Sequence, residues 1–115
     1  MPVIGAGPTG LELARLAAHK GHKVTFYESN LMAGGQLHWW ASLASTRELA
    51  GIDDWRISEL ERLKVNIIYN QTMTESDIQS IDADVCFIAT GAIDHRDAEL
   101  AKIDVRVMTP TEVLQ

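Results

Sequence analysis

Apolar and polar positions fall into short alternating blocks along the chain. Residues 3–28 run from an apolar stretch through a glycine turn, a stripe at helical spacing, a second glycine and another apolar stretch. That succession is a βαβ unit written in sequence. The first strand is Pro2-Val3-Ile4, and a helix is predicted over 8–20. Pro8 suits a first turn, where its missing N–H has no partner to lose; Leu11, Ala14 and Ala18 share a stripe, and Gly21 supplies the stop. Residues 23–27 then alternate, with Val24 and Phe26 on one side, as a strand does.

Residues 31–44 hold Gly34-Gly35 and His38-Trp39-Trp40 without a regular period, so a loop is expected there. Thr46 reads as the N-cap of a second helix reaching 63, with Leu49, Ile52, Leu60 and Leu63 toward the sheet. A third strand follows at 65–69. Thr74, with Asp77 three positions on, comes close to a capping box and opens a short helix to 81. The unbroken apolar run 85–89 suits a parallel strand buried on both faces. Beyond Gly91 the chain turns polar, with a last strand expected at 105–108 before Pro110.

Strands alternating with helices predict an α/β fold, a Rossmann-like three-layer domain. Its parallel sheet would run third, second, first, fourth strand, with the ligand across the carboxyl ends. A chain of 115 residues has room for one core, so residues 1–115 are expected to be a single domain. Three residues ahead of Gly5 make a short leading strand, and the chain reads as the truncated start of a longer dinucleotide-binding domain.

Sixteen acidic against ten basic residues give a net charge of −6, which works against nucleic acid phosphate and anionic lipid as partners. No apolar run reaches the roughly 20 residues that span a bilayer. A single cysteine, Cys86, excludes an internal disulfide and any all-cysteine metal or cluster site built from this chain alone, and it suits a reducing cytoplasm. Amid the apolar run it reads as a core residue.

Gly5-Ala6-Gly7-Pro8-Thr9-Gly10 follows a strand and opens a helix, and Glu28 with Ser29 closes the next strand some 20 residues on. Each position has a physical task. Gly5 permits the turn, Gly7 lets the backbone approach a pyrophosphate, and Gly10 lets helix and strand pack closely. Phosphates then meet the free N–H groups and positive end of the helix. Glu28 would accept hydrogen bonds from ribose hydroxyls and repel a 2′-phosphate. FAD, NAD and ADP share this adenosine diphosphate half, so the motif by itself does not choose among them. Gly34-Gly35-Gln36, soon after the acid, and Ala89-Thr90-Gly91, at the end of the fourth strand, favour FAD.

No nucleophile-base arrangement and no metal-ligand spacing stands out. His19, His22 and His95 read as surface histidines, and Asp53 and Asp54 as solvated or dipole-complementing acids early in a helix. His38-Trp39-Trp40 reads as cover for apolar surface, with a flavin or domain contact as the sharper alternative.

Residues 4–28, Gly34-Gly35-Gln36-Leu37, Asp54-Trp55-Arg56, residues 63–70, Ala89-Thr90-Gly91 and the terminal Thr109-Pro110-Thr111-Glu112-Val113-Leu114 together resemble one family. It is the trimethylamine dehydrogenase and 2,4-dienoyl-CoA reductase group of iron-sulfur flavoproteins, of the NADH:flavin oxidoreductase kind. Arg47-Glu48-Leu49-Ala50-Gly51-Ile52 followed by Asp54-Trp55-Arg56 is most similar to members that demethylate N-methylproline or dimethylglycine. The resemblance implies an FAD- or ADP-binding segment of an oxidoreductase. It also implies an FMN-binding barrel and a 4Fe-4S cluster on other parts of the same polypeptide, with the barrel as partner and substrate holder. The isolated chain would then be inactive, and its exposed sheet edges invite self-association. Carried over by position, Ala6, Glu28, Gln36 and the backbone near Met73 would meet the adenosine half, and Gly34, Gly35 and Arg47 would lie along the cofactor. Where the group usually has a proline just before the arginine, this chain has Ala44 and Ser45. Two other readings remain: a structural ADP-binding assembly module without redox turnover, and an NAD-binding half-domain of a dehydrogenase.

Overall fold

The computed structural model describes residues 1–95, 98–99, 102 and 106–114. Four strands, β1 (Pro2–Ile4), β2 (Thr25–Tyr27), β3 (Ile67–Ile68) and β4 (Phe87–Ile88), form one sheet in the order β3-β2-β1-β4. All three pairings are parallel, and Val3 stands beside Phe26 on one side and Phe87 on the other. Parallel neighbours need crossover connections. Here these are α1 (Pro8–His19) between β1 and β2, and α3 (Ala50–Arg62) between β2 and β3.

Helix α1 starts where the sequence places it. Pro8 occupies the first turn, and a Schellman end closes the last, with Gly21 N donating to Ala18 O and His22 N to Ala17 O. Its buried face is Gly10, Leu11, Ala14 and Ala17, close to the predicted stripe. Together with Val3, Ala6, Phe26, Leu60 and Val65, this face makes the core. Helices α1 and α3 pack against each other along that core.

Several expectations are revised. The aromatic stretch is not loop throughout, because Gln36–Trp40 forms a short helix, α2, entered through Gly35. Thr46 does not cap with its side chain; its hydroxyl donates back to the carbonyls of Trp40 and Leu43, and a 3-10 turn, Arg47–Leu49, leads into α3. Of the predicted inward positions of α3, Leu60 is buried, while Ile52 is 44% exposed and Asp53 takes the buried place beside it. Strand β4 lies at the sheet edge, so Val85 and Ile88 are exposed and Cys86 is half-buried; neither the doubly buried strand nor the core cysteine holds. The capping box is real: Thr74 and Asp77 exchange bonds at the start of α4 (Glu75–Ser80). Of the last expected strand, residue 105 lies outside the described residues and 106–108 are irregular, leading to α5 (Pro110–Leu114).

Leu60→Ala removes a side chain from the core and is expected to cost about 2–5 kcal/mol, whereas Ile52→Ala, at an exposed position, should stay within about 0.5 kcal/mol. Chemical denaturation midpoints of the two variants check the assignment of the inward face of α3.

Candidate functional site

The carboxyl ends of all four strands open into one cleft of about 650 Å³. Gly5, Gly7, Pro8 and Thr9 line it after β1; Glu28, Ser29 and Asn30 after β2; Gln71, Thr72 and Met73 after β3; Ala89, Thr90 and Gly91 after β4. A parallel sheet whose strand order reverses between β1 and β4 leaves such a crevice at the switch point.

Beneath the cleft the backbone is packed without slack. A Cβ at Gly10 would stand 1.8 Å from the carbonyl oxygen of Gly5, and one at Gly5, whose φ is +98°, would stand 2.5 Å from Ala89 O. Only glycine at both positions lets α1 begin directly against the end of β1. Gly7 is the N-cap, with no side chain capping α1, and a Cβ there would meet nothing within 4 Å. The first-turn N–H groups of α1 thus lie at an uncapped helix start beside open space, the setting in which helix termini hold anions.

Glu28 is buried at 5% exposure and held in place by the chain. Its Oε2 accepts from Ala6 N at 2.6 Å, and its Oε1 from Asn30 N and Asn30 Nδ2, both at 2.8 Å, and from Ser29 Oγ at 3.2 Å. Three donors therefore crowd Oε1, while Oε2, met only by Ala6 N, keeps one acceptor direction open. A ribose hydroxyl arriving here can donate to Oε2 beside Ala6 N without displacing Ser29 or Asn30. Gln71 N donates to Glu28 O and Asn70 N to Asn30 O, so the loops after β2 and β3 form one wall of the cleft. Burial first, and then the negative Glu28 and Glu61, push the Tyr69 phenol above its usual pKa.

Gly34 and Gly35 lie behind the glycine turn instead of lining the cleft. Gly34 N donates to Ala6 O at 2.7 Å, and a Cβ at Gly35 would come within 3.1 Å of Gly7 Cα. Gln36 lines the cleft, but its side-chain amide donates to Ala92 O beyond β4. Ala6 and Gly10 are buried under the cleft, and Arg47 is exposed in the 3-10 turn, away from the lining residues. Trp40 of the aromatic cluster lines the cleft; His38 and Trp39 instead meet edge to face at 5.5 Å. Leu37, Asn30, Gln71 and Thr72 were missed from sequence. Asn30 alone had a local signal, as a polar residue two past the acid.

An ion network braces α1 against α3. Arg15 donates twice to Glu12, Arg56 Nε reaches Glu12 Oε2 at 3.0 Å, and Arg56 Nη1 reaches Asp53 Oδ1 at 3.3 Å, while Arg15 lies 5.1 Å from the centre of a Trp55 ring. Asp53, expected to complement the dipole or stay solvated, sits in the first turn of α3 but is buried, and that burial raises its pKa against the opposing pull of Arg56. Among the described residues no histidine, cysteine and carboxylate cluster could hold a metal, and no helix is long and apolar enough to cross a membrane.

The chain is 50% identical over 96 residues to a multifunctional alkene reductase/demethylase of Caballeronia cordobensis, covering 84% of this chain and 14% of that protein. It is 40% identical over 95 residues to a probable N-methylproline demethylase of Rhizobium meliloti strain 1021, covering 83% of this chain and 14% of the relative. A solved structure of histamine dehydrogenase from Rhizobium sp. 4-9 matches with a TM-score of 0.79 at 28% identity, over 84% of this chain and 15% of the other. Residues 3–50 match the family described as NAD(P)-binding Rossmann-like domain, the class that the sheet, glycine turn and buried acid define. These relatives are oxidoreductases, and the chain spans 14% of the length of each of the two curated ones. The chain is thus similar to a short nucleotide-binding stretch of these larger oxidoreductases.

Two outcomes follow from this geometry. Gly10→Ala forces α1 away from Gly5 and is expected to lower the denaturation midpoint sharply. Gly51→Ala, with nothing within 4 Å in α3, should be neutral or stabilise by up to about 1 kcal/mol. The hydrogen bonds from Arg15 and then Arg56 draw the Glu12 carboxyl down from 4.5 to about 2. Because the folded value lies below the unfolded one, this stabilisation is complete above pH 4.5 and is lost as pH falls toward about 2. Glu12→Gln should flatten the stability profile across that window, measured by urea unfolding; Asp77, Glu59 and Asp94, also lowered, leave a residual slope.

Proposed function

We propose that the 115-residue chain is one nucleotide-binding unit that holds the adenosine diphosphate half of FAD within a larger iron-sulfur flavoprotein oxidoreductase. The observation that carries this reading is the joining of an uncapped helix start and a buried, backbone-anchored Glu28 in a single cleft. Pyrophosphate would rest on the first turn of α1 near Gly7 and Thr9, and ribose on Glu28. Adenine would lie toward Gln71 and Met73, with the rest of the dinucleotide leading toward Ala89, Thr90 and Gly91. These groups orient the nucleotide and take no proton from it. Bound FAD would supply a two-electron carrier able to pass electrons one at a time.

The relatives named as demethylase, alkene reductase and dehydrogenase support an N-methylamine demethylase, amine dehydrogenase or enoate reductase as the whole protein. On this reading FMN, a 4Fe-4S cluster and the substrate sit on an FMN-binding barrel of the same polypeptide, and this chain carries no catalytic residue. We place the protein in the cytoplasm, a reading supported by its single cysteine. The family description favours NAD as the second reading, since NAD carries the same adenosine diphosphate half.

Calorimetric titration of the folded chain with FAD, ADP and NAD tests the proposal. Binding of FAD and ADP with comparable affinity is expected. Glu28→Gln should weaken both by about tenfold, the scale of a lost charge-assisted hydrogen bond. Binding of NAD alone would select the second reading. A folded circular-dichroism spectrum with no affinity for any of the three would overturn both.

A further inference from the structure

One buried ionised group has no part in the nucleotide site as described. Asp53 sits in the first turn of α3 at 5% exposure, and burying a carboxylate is costly unless it is paired and hydrogen-bonded, as it is here by Arg56. Its Oδ1 takes the guanidinium of Arg56, which also holds Glu12 one turn into α1. Its Oδ2 lies 3.5 Å from where a Cβ of Gly34 would be, directly against that loop residue. Gly34 N in turn donates to Ala6 O, Ala6 N donates to Glu28 Oε2, and Gly35 lies so close to Gly7 that a Cβ on it would come within 3.1 Å of Gly7 Cα.

A continuous chain of contacts therefore runs from Asp53 through Gly34 to both ends of the anion cradle, the acid Glu28 and the helix N-cap Gly7. Gly34 and Gly35 hold φ of +112° and +52°, which glycine adopts readily, and being glycines they have no side chains of their own to anchor that backbone. The brace comes from outside.

We propose that Asp53 is a positioning residue for the nucleotide cradle: locked by Arg56, it holds Gly34-Gly35 against Ala6 and Gly7 and so fixes the geometry of the glycine turn. The inference deepens the nucleotide-binding reading and rests on it for its effect on affinity. Its structural half stands alone, because the Gly34 amide reports on the brace with no ligand present.

The test compares wild type, Asp53→Ala and Asp53→Asn, the last keeping shape and an acceptor for Arg56. Amide hydrogen exchange is followed without nucleotide, and ADP is then titrated. In Asp53→Ala, exchange at Gly34 should quicken by about tenfold more than at Val65, whose amide is bonded within the core. ADP binding should weaken by about tenfold in the folded protein, and Asp53→Asn should restore both values to within a factor of about two. If Asp53→Ala does not fold, Arg56→Met, which frees the same carboxylate, is measured in its place with the same outcome expected. Exchange at Gly34 that rises only in step with Val65, or ADP affinity unchanged while Gly34 is exposed, overturns the proposal. If wild type binds neither ADP nor FAD, the nucleotide reading fails, and the exchange data still decide whether Asp53 braces the loop.

Discussion

Between the end of β1 and the first turn of α1 there is no room for a single methyl group. The carbonyl of Gly5 occupies the place where a side chain at residue 10 would begin. Because α1 can start only there, its N-terminus is fixed relative to the sheet, and the register of β1 with β2 and β4 brings Glu28 and Ala89 to the same edge. Backbone contact this close tolerates little distortion, since interiors pack at crystal-like density. The cleft is thus a consequence of one steric limit repeated at Gly5 and Gly10.

Around that limit the chain uses buried charge in two ways. Glu28 lines the cleft with both carboxylate oxygens anchored by the chain, which holds the carboxylate still before any ligand arrives and leaves Oε2 able to accept one more bond. An acid so prepared loses little freedom on binding, the general advantage of preorganised polar groups. Asp53 lies one layer further back and is neutralised by Arg56 within a network that ties α3 to α1. Isolated exposed ion pairs contribute little, but a network of partly buried groups sharing one guanidinium fixes geometry more firmly. The two acids bracket the Gly34-Gly35 loop from opposite sides, one through Ala6 and one directly.

The outer surface is less complete. Strand β4 ends the sheet with Ile88 67% exposed, and Ile93 beyond it is almost wholly exposed. The chain spans only 14% of the length of each of the two curated relatives. Apolar side chains left open at a sheet edge are the usual mark of a surface that other parts of a protein cover.

How much of this was legible beforehand varies by element. Helix α1 and the capping box at Thr74 were read correctly, because each rests on interactions between residues close in sequence or on a strict period, such as the Pro8 start and the Gly21 end; the strand order was legible through the handedness and topology that alternating strands and helices impose. The glycine turn and its acid were legible for the same reason, as a local backbone requirement that few residue types satisfy. The helix in residues 36–40, the outward turn of Ile52, the exposure of Val85 and Cys86, and the burial of Asp53 were not. Each of those depends on what lies opposite in space. Asp53 becomes a core residue only because Arg56 and Gly34 meet it, and an apolar strand at 85–89 is half open only because the sheet stops there. Sequence by itself determined the fold class and the place of the phosphate-facing turn, since steric and hydrogen-bonding rules act within short stretches of chain, and the strand order followed from the crossover rule for βαβ units. Tertiary structure alone decided which side of α3 is inside, what Glu28 is bonded to and which residues stand behind the cradle, because burial and charge pairing are properties of neighbours brought together by folding.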